Sequence, residues 1–342
     1  MKILLSMLFV AACCSCTQNG GTEKYQNKRN NVVNVHEKIT EIRIEEPLIS
    51  FHAFLYMIDK YLIIRDYMSL KERIHLFNKN TFEHVVSTAP RGQGPREITN
   101  IGHIGINEAC RKLYVSDHGK NKIFSYELDS ILVNPLLYMP DVKMNMNEGQ
   151  FPNTYEYISD PLCIGMIIEP IGVSDFKPSI ARWNMQTGEI VKMKYEHPKI
   201  KKKKRICFAV SMNRGIYVEG YNHNDLMTIC SLDGNLKYNI YGPKFEIGNS
   251  NRMAYYKKAI FCGDKLLALY TGGEAWIDKG NGMEVNRSTK FLVFDMNGDY
   301  IQTLETGYPI IDFCYDSENN RILMSMNDEI QFAYLELDGL LE

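Results

Sequence analysis

Apolar and polar positions alternate with a period of two along most of this chain, and a short apolar run recurs at a nearly fixed interval. The six runs are Tyr61–Asp66, Lys112–Asp117, Cys163–Glu169, Gly215–Gly220, Lys265–Tyr270 and Arg321–Met326. Their leading aliphatic residues, Leu62, Leu113, Ile164, Ile216, Leu266 and Ile322, are separated by steps of 51, 51, 52, 50 and 56. A second alternating run comes after each and ends in a turn sequence such as Asp233-Gly234, Asn297-Gly298 or Asp338-Gly339, whose residues tolerate the positive φ of a tight hairpin. Period two means strands, and helix signals are almost absent. A unit of about fifty residues with four antiparallel strands is a propeller blade, and six such units close a ring. The sequence therefore predicts an all-β, six-bladed β-propeller over residues 32–342.

The ends of the chain refine this. The last repeat stops at Glu342, after its third strand and turn, while Val32–Ile44 has strand character and no repeat of its own. Val32–Ile44 is expected to supply the missing outer strand and close the ring. Ahead of it, Lys2 precedes an uncharged apolar run, Ile3–Ala12, with the length of a signal-peptide core and too short to span a membrane. Val10-Ala11-Ala12-Cys13 resembles a bacterial lipobox, with Cys13 as the lipidated residue and Cys14 and Cys16 as alternatives. Residues 1–16 read as a lipoprotein signal and residues 17–31, polar and aperiodic, as a flexible tether.

One segment suggests chemistry. Arg91-Gly92-Gln93-Gly94-Pro95-Arg96-Glu97 has the glycines of a phosphate loop. It leads into a strand, a turn and another strand, whereas a phosphate loop needs a helix start to face the anion. The glycines are expected to hold positive φ where one blade crosses to the next. This segment is similar to the G-Q-G-P-G-E-F segment of bacterial six-bladed β-propeller lipoproteins of the TolB-like and NHL-repeat-like type. Lys112–Asp129 resembles an NHL-type repeat, and Gly307–Leu337 resembles the closing blade of that group. The resemblance covers residues 32–342 and departs at Arg96, where the group has a third glycine, and in the irregular third repeat. It implies the fold far more strongly than any activity.

Up-and-down topology sorts the loops. The Asp-Gly and Asn-Gly hairpins join third to fourth strands and mark one face. The opposite face collects the longer second-to-third and blade-to-blade connections, where function concentrates on a rigid scaffold. The candidate ligand-binding residues on that face are Arg65, Arg91, Arg96, Asp117, His118, Glu219, His223 and Trp276. Trp276 lies in the longest of these loops, Thr271–Lys290, and is a candidate lid or stacking platform.

Composition narrows the function classes. Thirty-nine Lys and Arg against 41 Asp and Glu leave no basic excess for a nucleic-acid partner. Lys199–Arg205 is the strongest charge run and reads as a solvated loop between repeats three and four. Six cysteines lie beyond the leader with no C-x-x-C spacing, so buried free thiols are expected. No G-x-S-x-G or H-E-x-x-H motif occurs, and no catalytic residue, metal or cofactor is expected. The sequence reads as an exported protein, lipid-anchored in the envelope of a Gram-negative bacterium at its outer membrane. It is expected to bind a glycan, peptide or envelope protein on its long-loop face. The alternative is a hydrolase or lyase acting on a glycan or lactone at the channel mouth.

Overall fold

The chain forms a six-bladed β-propeller. The structure, a computed structural model, describes residues 21–341 apart from 136, 174, 201–204, 248–250 and 281. The leader and Cys13, Cys14 and Cys16 lie outside the described residues.

Blade 1 comprises Ala53–Ile58, Tyr61–Asp66, Glu72–Asn78 and His84–Pro90. Blade 2 comprises Ile101–Asn107, Lys112–Asp117, Lys122–Glu127 and Asp141–Asn145. Blade 3 comprises Phe151–Ser159, Leu162–Pro170, Phe176–Asn184 and Ile190–Lys192. Blade 4 comprises Ile206–Ser211, Ile216–Tyr221, Leu226–Ser231 and Leu236–Tyr241. Blade 5 comprises Met253–Cys262, Lys265–Glu274, Ser288–Phe294 and the opening stretch of Tyr300–Asp316. The remainder of that strand opens blade 6, which continues through Arg321–Met326 and Phe332–Glu336. The long strand turns at Gly307, which has φ +76° and whose missing Cβ leaves room for the His36 ring. Within each blade neighbouring strands pair antiparallel in chain order. Blade 2 departs from the expected hairpin: the helix Leu128–Val133 joins its third and fourth strands.

The repeated run is the second strand of every blade, and its burial explains its apolar continuity. Each blade must cover two apolar faces, so the core divides into six clusters, one per blade junction. Leu55, Leu62 and Ile64 of blade 1 pack on Cys314, Leu323 and Phe332 of blade 6, completing the ring. Tyr155, Trp183, Tyr217, Phe291, Phe294 and Phe313 are among the largest fully buried side chains. Among the described cysteines, Cys163, Cys207, Cys230, Cys262 and Cys314 are buried free thiols and Cys110 is exposed.

The fourth strand of blade 6 comes from the N-terminal region: Thr40–Glu41 pairs antiparallel with Phe332–Glu336. The expected closure holds, with a shorter strand than Val32–Ile44 suggested. The rest of that segment does something the sequence did not indicate. Val32–Asn34 pairs parallel with the outer strand of blade 5, and Glu23–Tyr25 pairs parallel with the outer strand of blade 4. The expected tether boundary at residue 31 is corrected: from Glu23 onward the chain is a belt across three successive blades. Its polar composition suits an edge position, where backbone pairing and side-chain bonds replace apolar burial. Arg29 anchors it in a buried pocket, 2.9 Å from Asp225 and 2.8 Å from the Tyr256 hydroxyl.

Candidate functional site

The six inner strands surround a channel of about 1450 Å³ that reaches from the long-loop face, at His52, Tyr67, Met68, Asn100 and His118, to the opposite turns at Glu108, Cys110 and Asp160. Its walls mix polar side chains with apolar and aromatic ones, the latter including Phe54, Ile104, Ile158, Phe208, Phe261 and Phe313. Alternation along each inner strand turns some of its side chains into the blade junctions and leaves the rest to the channel.

Among the polar groups, Lys258 of blade 5 donates to Asp312 of blade 6 at 2.7 Å. The second Asp312 oxygen accepts the Leu55 N–H at 2.7 Å, so this carboxylate fastens blade 5 to blade 6 and blade 6 to blade 1. Burial disfavours the Lys258 ammonium, yet the adjacent Asp312 outweighs it and raises its pKa. His103 of blade 2 donates Nε2–H to the Tyr155 carbonyl at 2.7 Å. Its Nδ1 then faces the Tyr56 hydroxyl at 3.5 Å. Burial, with Arg65 nearby, pushes the imidazole down to about 3, so His103 is neutral. Glu156 of blade 3 is exposed to the channel lumen although protein surrounds it on all sides. That enclosure pushes its carboxyl up to about 7, against the opposing pull of Lys258.

Of the residues expected from sequence, the structure brings Arg65 and His118 to the channel wall. Arg65 donates to the Gly102 carbonyl and stacks its guanidinium 4.0 Å over the Phe54 ring. His118 lies against Phe151, and burial lowers its pKa. Asp117 is buried and fully engaged. Its carboxylate accepts the N–H groups of Thr99, Asn100, Gly119 and Lys120, fixing two loops at once. Asp66, in the preceding repeat, has the same role, accepting from Ser50, Met68 and Ser69. Glu219 was expected on a loop. It lies inside the second strand of blade 4 and is buried, because that strand runs on to Tyr221. His223 bonds the Met253 carbonyl at 2.8 Å and does not line the channel.

Arg91 and Arg96 are exposed on the blade 1 to blade 2 crossing and do not line the channel. Gly92 holds the expected positive φ, at +159°, whereas Gly94 does not, and both glycines also serve close approach. Gly94 N–H donates to Glu97 Oε2 at 2.6 Å, and a Cβ on Gly92 would fall 2.0 Å from that oxygen. Lys120 ties the crossing down, donating to the carbonyls of Gly94 and Glu97 at 2.6 Å each. The loop expected over Thr271–Lys290 is mostly structured: the blade strands extend to Glu274 and back to Ser288, and Trp276–Asp278 pairs with Met283–Val285 as a projecting hairpin. Trp276 is half exposed there, outside the channel lining.

Sequence reasoning missed Tyr56, His103, Glu156, Lys257, Lys258 and Asp312. All sit on inner strands, which carry no fixed repeat signature. The available signal was charge inside an otherwise apolar strand, as in Tyr255-Tyr256-Lys257-Lys258-Ala259-Ile260.

Residues 45–157 match a family described as 6-bladed beta-propeller. No curated protein matches the chain significantly. Among solved structures, a member of the DUF4221 family from Bacteroides vulgatus is similar with a TM-score of 0.66 and 14% identity, covering 90% of this chain and 98% of that one. A luciferin-regenerating enzyme is similar with a TM-score of 0.55 and 8% identity over 87% of this chain and 94% of its own. Regucalcin from Agrobacterium tumefaciens, described as a calcium-binding protein, gives a TM-score of 0.55 and 8% identity over 89% and 95%. These likenesses establish the fold. Among the described residues of this chain, no three His, Cys, Asp or Glu side chains come together as a metal-binding group.

Proposed function

We propose that this chain is a ligand-binding propeller of the cell envelope, held to a membrane by a lipid on Cys13, that takes a small molecule into its channel from the long-loop face. The observation that carries the reading is the channel itself. It is continuous, wide enough for a drug-sized molecule, and walled by apolar and aromatic side chains together with fixed polar groups, which suits a small-molecule site. The signal-like leader and lipobox support the envelope location.

The experiment is a thermal-shift screen of metabolites and glycans on the protein from residue 21 onward, run beside Val210→Trp, which puts an indole into the channel. Ligands that bind only the folded state raise its melting temperature. Compounds that stabilise the parent protein are expected to lose their effect in the Trp variant. Equal shifts in both would move the site off the channel.

Glu156 favours a second reading. A carboxyl with a pKa near 7 inside a cavity is suited to general acid–base work. On that reading the protein is a hydrolase or lyase with Glu156 as the proton-transferring group. Turnover of any lactone or glycan that Glu156→Gln abolishes, with binding retained, would establish it.

A further inference from the structure

Three cations, Arg205, Lys257 and Arg287, lie close enough at one side of the channel for the two arginines to act on the lysine, and of the three only Lys257 lines it. Lys257 is on the inner strand of blade 5 and lines the channel. Arg205 immediately precedes the inner strand of blade 4, whose first residue, Ile206, also lines it. Backbone bonds hold the two strand entries together: Asn222 N–H donates to the Arg205 carbonyl at 3.1 Å, and Tyr255 N–H donates to the Asn222 carbonyl at 2.8 Å. Arg287 enters the third strand of blade 5 beside Ser288, which is bonded to Thr271 at 2.7 Å. Among the described residues none of these three side chains makes an ion pair or a hydrogen bond. The carboxylates lining the channel face other cations or lie elsewhere. Asp312 is bonded to Lys258 and the Leu55 N–H, and Glu156 feels the Lys258 charge. Asp160 pairs with Lys143 at the far end, where Glu108 also lies. Burial lowers the pKa of Lys257, and the charges acting on it, Arg205 and Arg287, lower it further. Neighbouring like charges disfavour one another, and an anion entering beside Lys257 would relieve that repulsion.

Beyond the three cations, Ile206, Phe208, Ile260 and Phe261 form an apolar wall along blades 4 and 5. We infer that the channel takes an amphiphilic acid, its carboxylate, sulfate or phosphate group at Arg205, Lys257 and Arg287 and its aliphatic or aromatic body along Phe208 and Phe261. Two guanidinium groups suit a planar or tetrahedral oxyanion, which they grip through paired N–H donors. A neutral molecule of the same shape would leave the cations uncompensated. This assignment rests on the channel being the ligand site and names the chemical class that fills it.

Decanoate, decanol, acetate, 2-naphthoate and 2-naphthalenemethanol test it by calorimetric titration of the protein from residue 21 onward. The two larger acids are expected to bind at least tenfold more tightly than their alcohols, and acetate far more weakly than decanoate. Raising the salt from 50 to 500 mM should weaken the acids and leave the alcohols unchanged. The triple variant Arg205→Gln, Lys257→Gln, Arg287→Gln should bind acid and alcohol alike, and its retained alcohol binding shows that the channel is intact. Equal binding of acids and alcohols by the parent protein, or acid binding that survives the triple substitution, would overturn the acid assignment and leave the channel reading standing. If none of the five probes bound, the assignment would fall, whereas the channel reading is judged separately by the screen against Val210→Trp.

Discussion

Arg29 is the place to test whether the N-terminal belt is structural. Its side chain is 5% exposed and that of Asp225 is 0% exposed. Besides Asp225 and Tyr256, the guanidinium lies 5.3 Å from the Tyr270 ring centre and 5.6 Å from that of Phe294. Arg29→Met keeps much of the apolar stem and removes the charge. Asp225 then keeps the Tyr256 hydroxyl at 3.2 Å and the Lys244 N–H at 3.1 Å, and loses the cation paired with it. Removing one member of a buried pair costs about 3–5 kcal/mol, because the other charge is stranded. With an unfolding entropy of about 2.1 cal/mol/K per residue over roughly 300 residues, that loss lowers Tm by about 5–8 °C. Differential scanning calorimetry measures it directly. In the double variant Arg29→Met, Asp225→Asn the stranded charge is gone, so the double should melt well above the sum of the two single losses. If Arg29→Met melted within about 1 °C of the parent, the belt would be an ornament on a self-sufficient ring. Additive losses in the double variant would mean that the pair is not coupled.

Other outcomes come from the same geometry. Deleting residues 21–44 should abolish the cooperative transition, because blade 6 loses its fourth strand; calorimetry of the truncated protein checks this. The Glu156 carboxyl binds its proton more tightly in the folded than in the unfolded chain, so stability should fall as pH rises from about 4.5 to about 7. Glu156→Gln should flatten that region of the profile, read from urea midpoints across the window. Gly165→Ala would place a Cβ 2.4 Å from the Thr154 backbone oxygen and should cost about 1–3 kcal/mol, seen as a lower urea midpoint. Asp117→Ala strands four loop N–H groups and should cost on the order of 2 kcal/mol, with decanoate affinity unchanged if the residue is purely architectural.

The features legible in the sequence were those the repeat had to preserve. Leu62, Leu113, Ile164, Ile216, Leu266 and Ile322 recur because each second strand is buried on both faces, and that period alone fixes the blade number. The same logic, carried one step further, explains Asp117. Asp66 stands 51 residues before it, and a side chain that recurs in register with the core belongs to the scaffold. The channel groups recur in no such way. His103, Glu156, Lys257 and Asp312 come from four different blades and meet only because the ring closes, so neither spacing nor periodicity could join them. The belt was hidden for a different reason. Glu23–Tyr25 and Val32–Asn34 are held by backbone pairing to outer strands and by a few buried side-chain bonds, so their sequence keeps the polar, Asn-rich look of a linker.

The path of the belt also sets an order of assembly. Residues made first dock on strands made last: Glu23–Tyr25 waits for Leu236–Tyr241, Val32–Asn34 for the strand that begins at Tyr300, and Thr40–Glu41 for Phe332–Glu336. Each of these pairings closes a loop of roughly two hundred residues or more, which is entropically costly and slow unless the intervening blades have already formed. Blades 1 to 4 can stack as they emerge from the ribosome, while the ring stays open until the C-terminal strand exists. A chain shortened by about its last dozen residues would therefore be left as an open stack of blades with exposed apolar edges, the kind of species that aggregates.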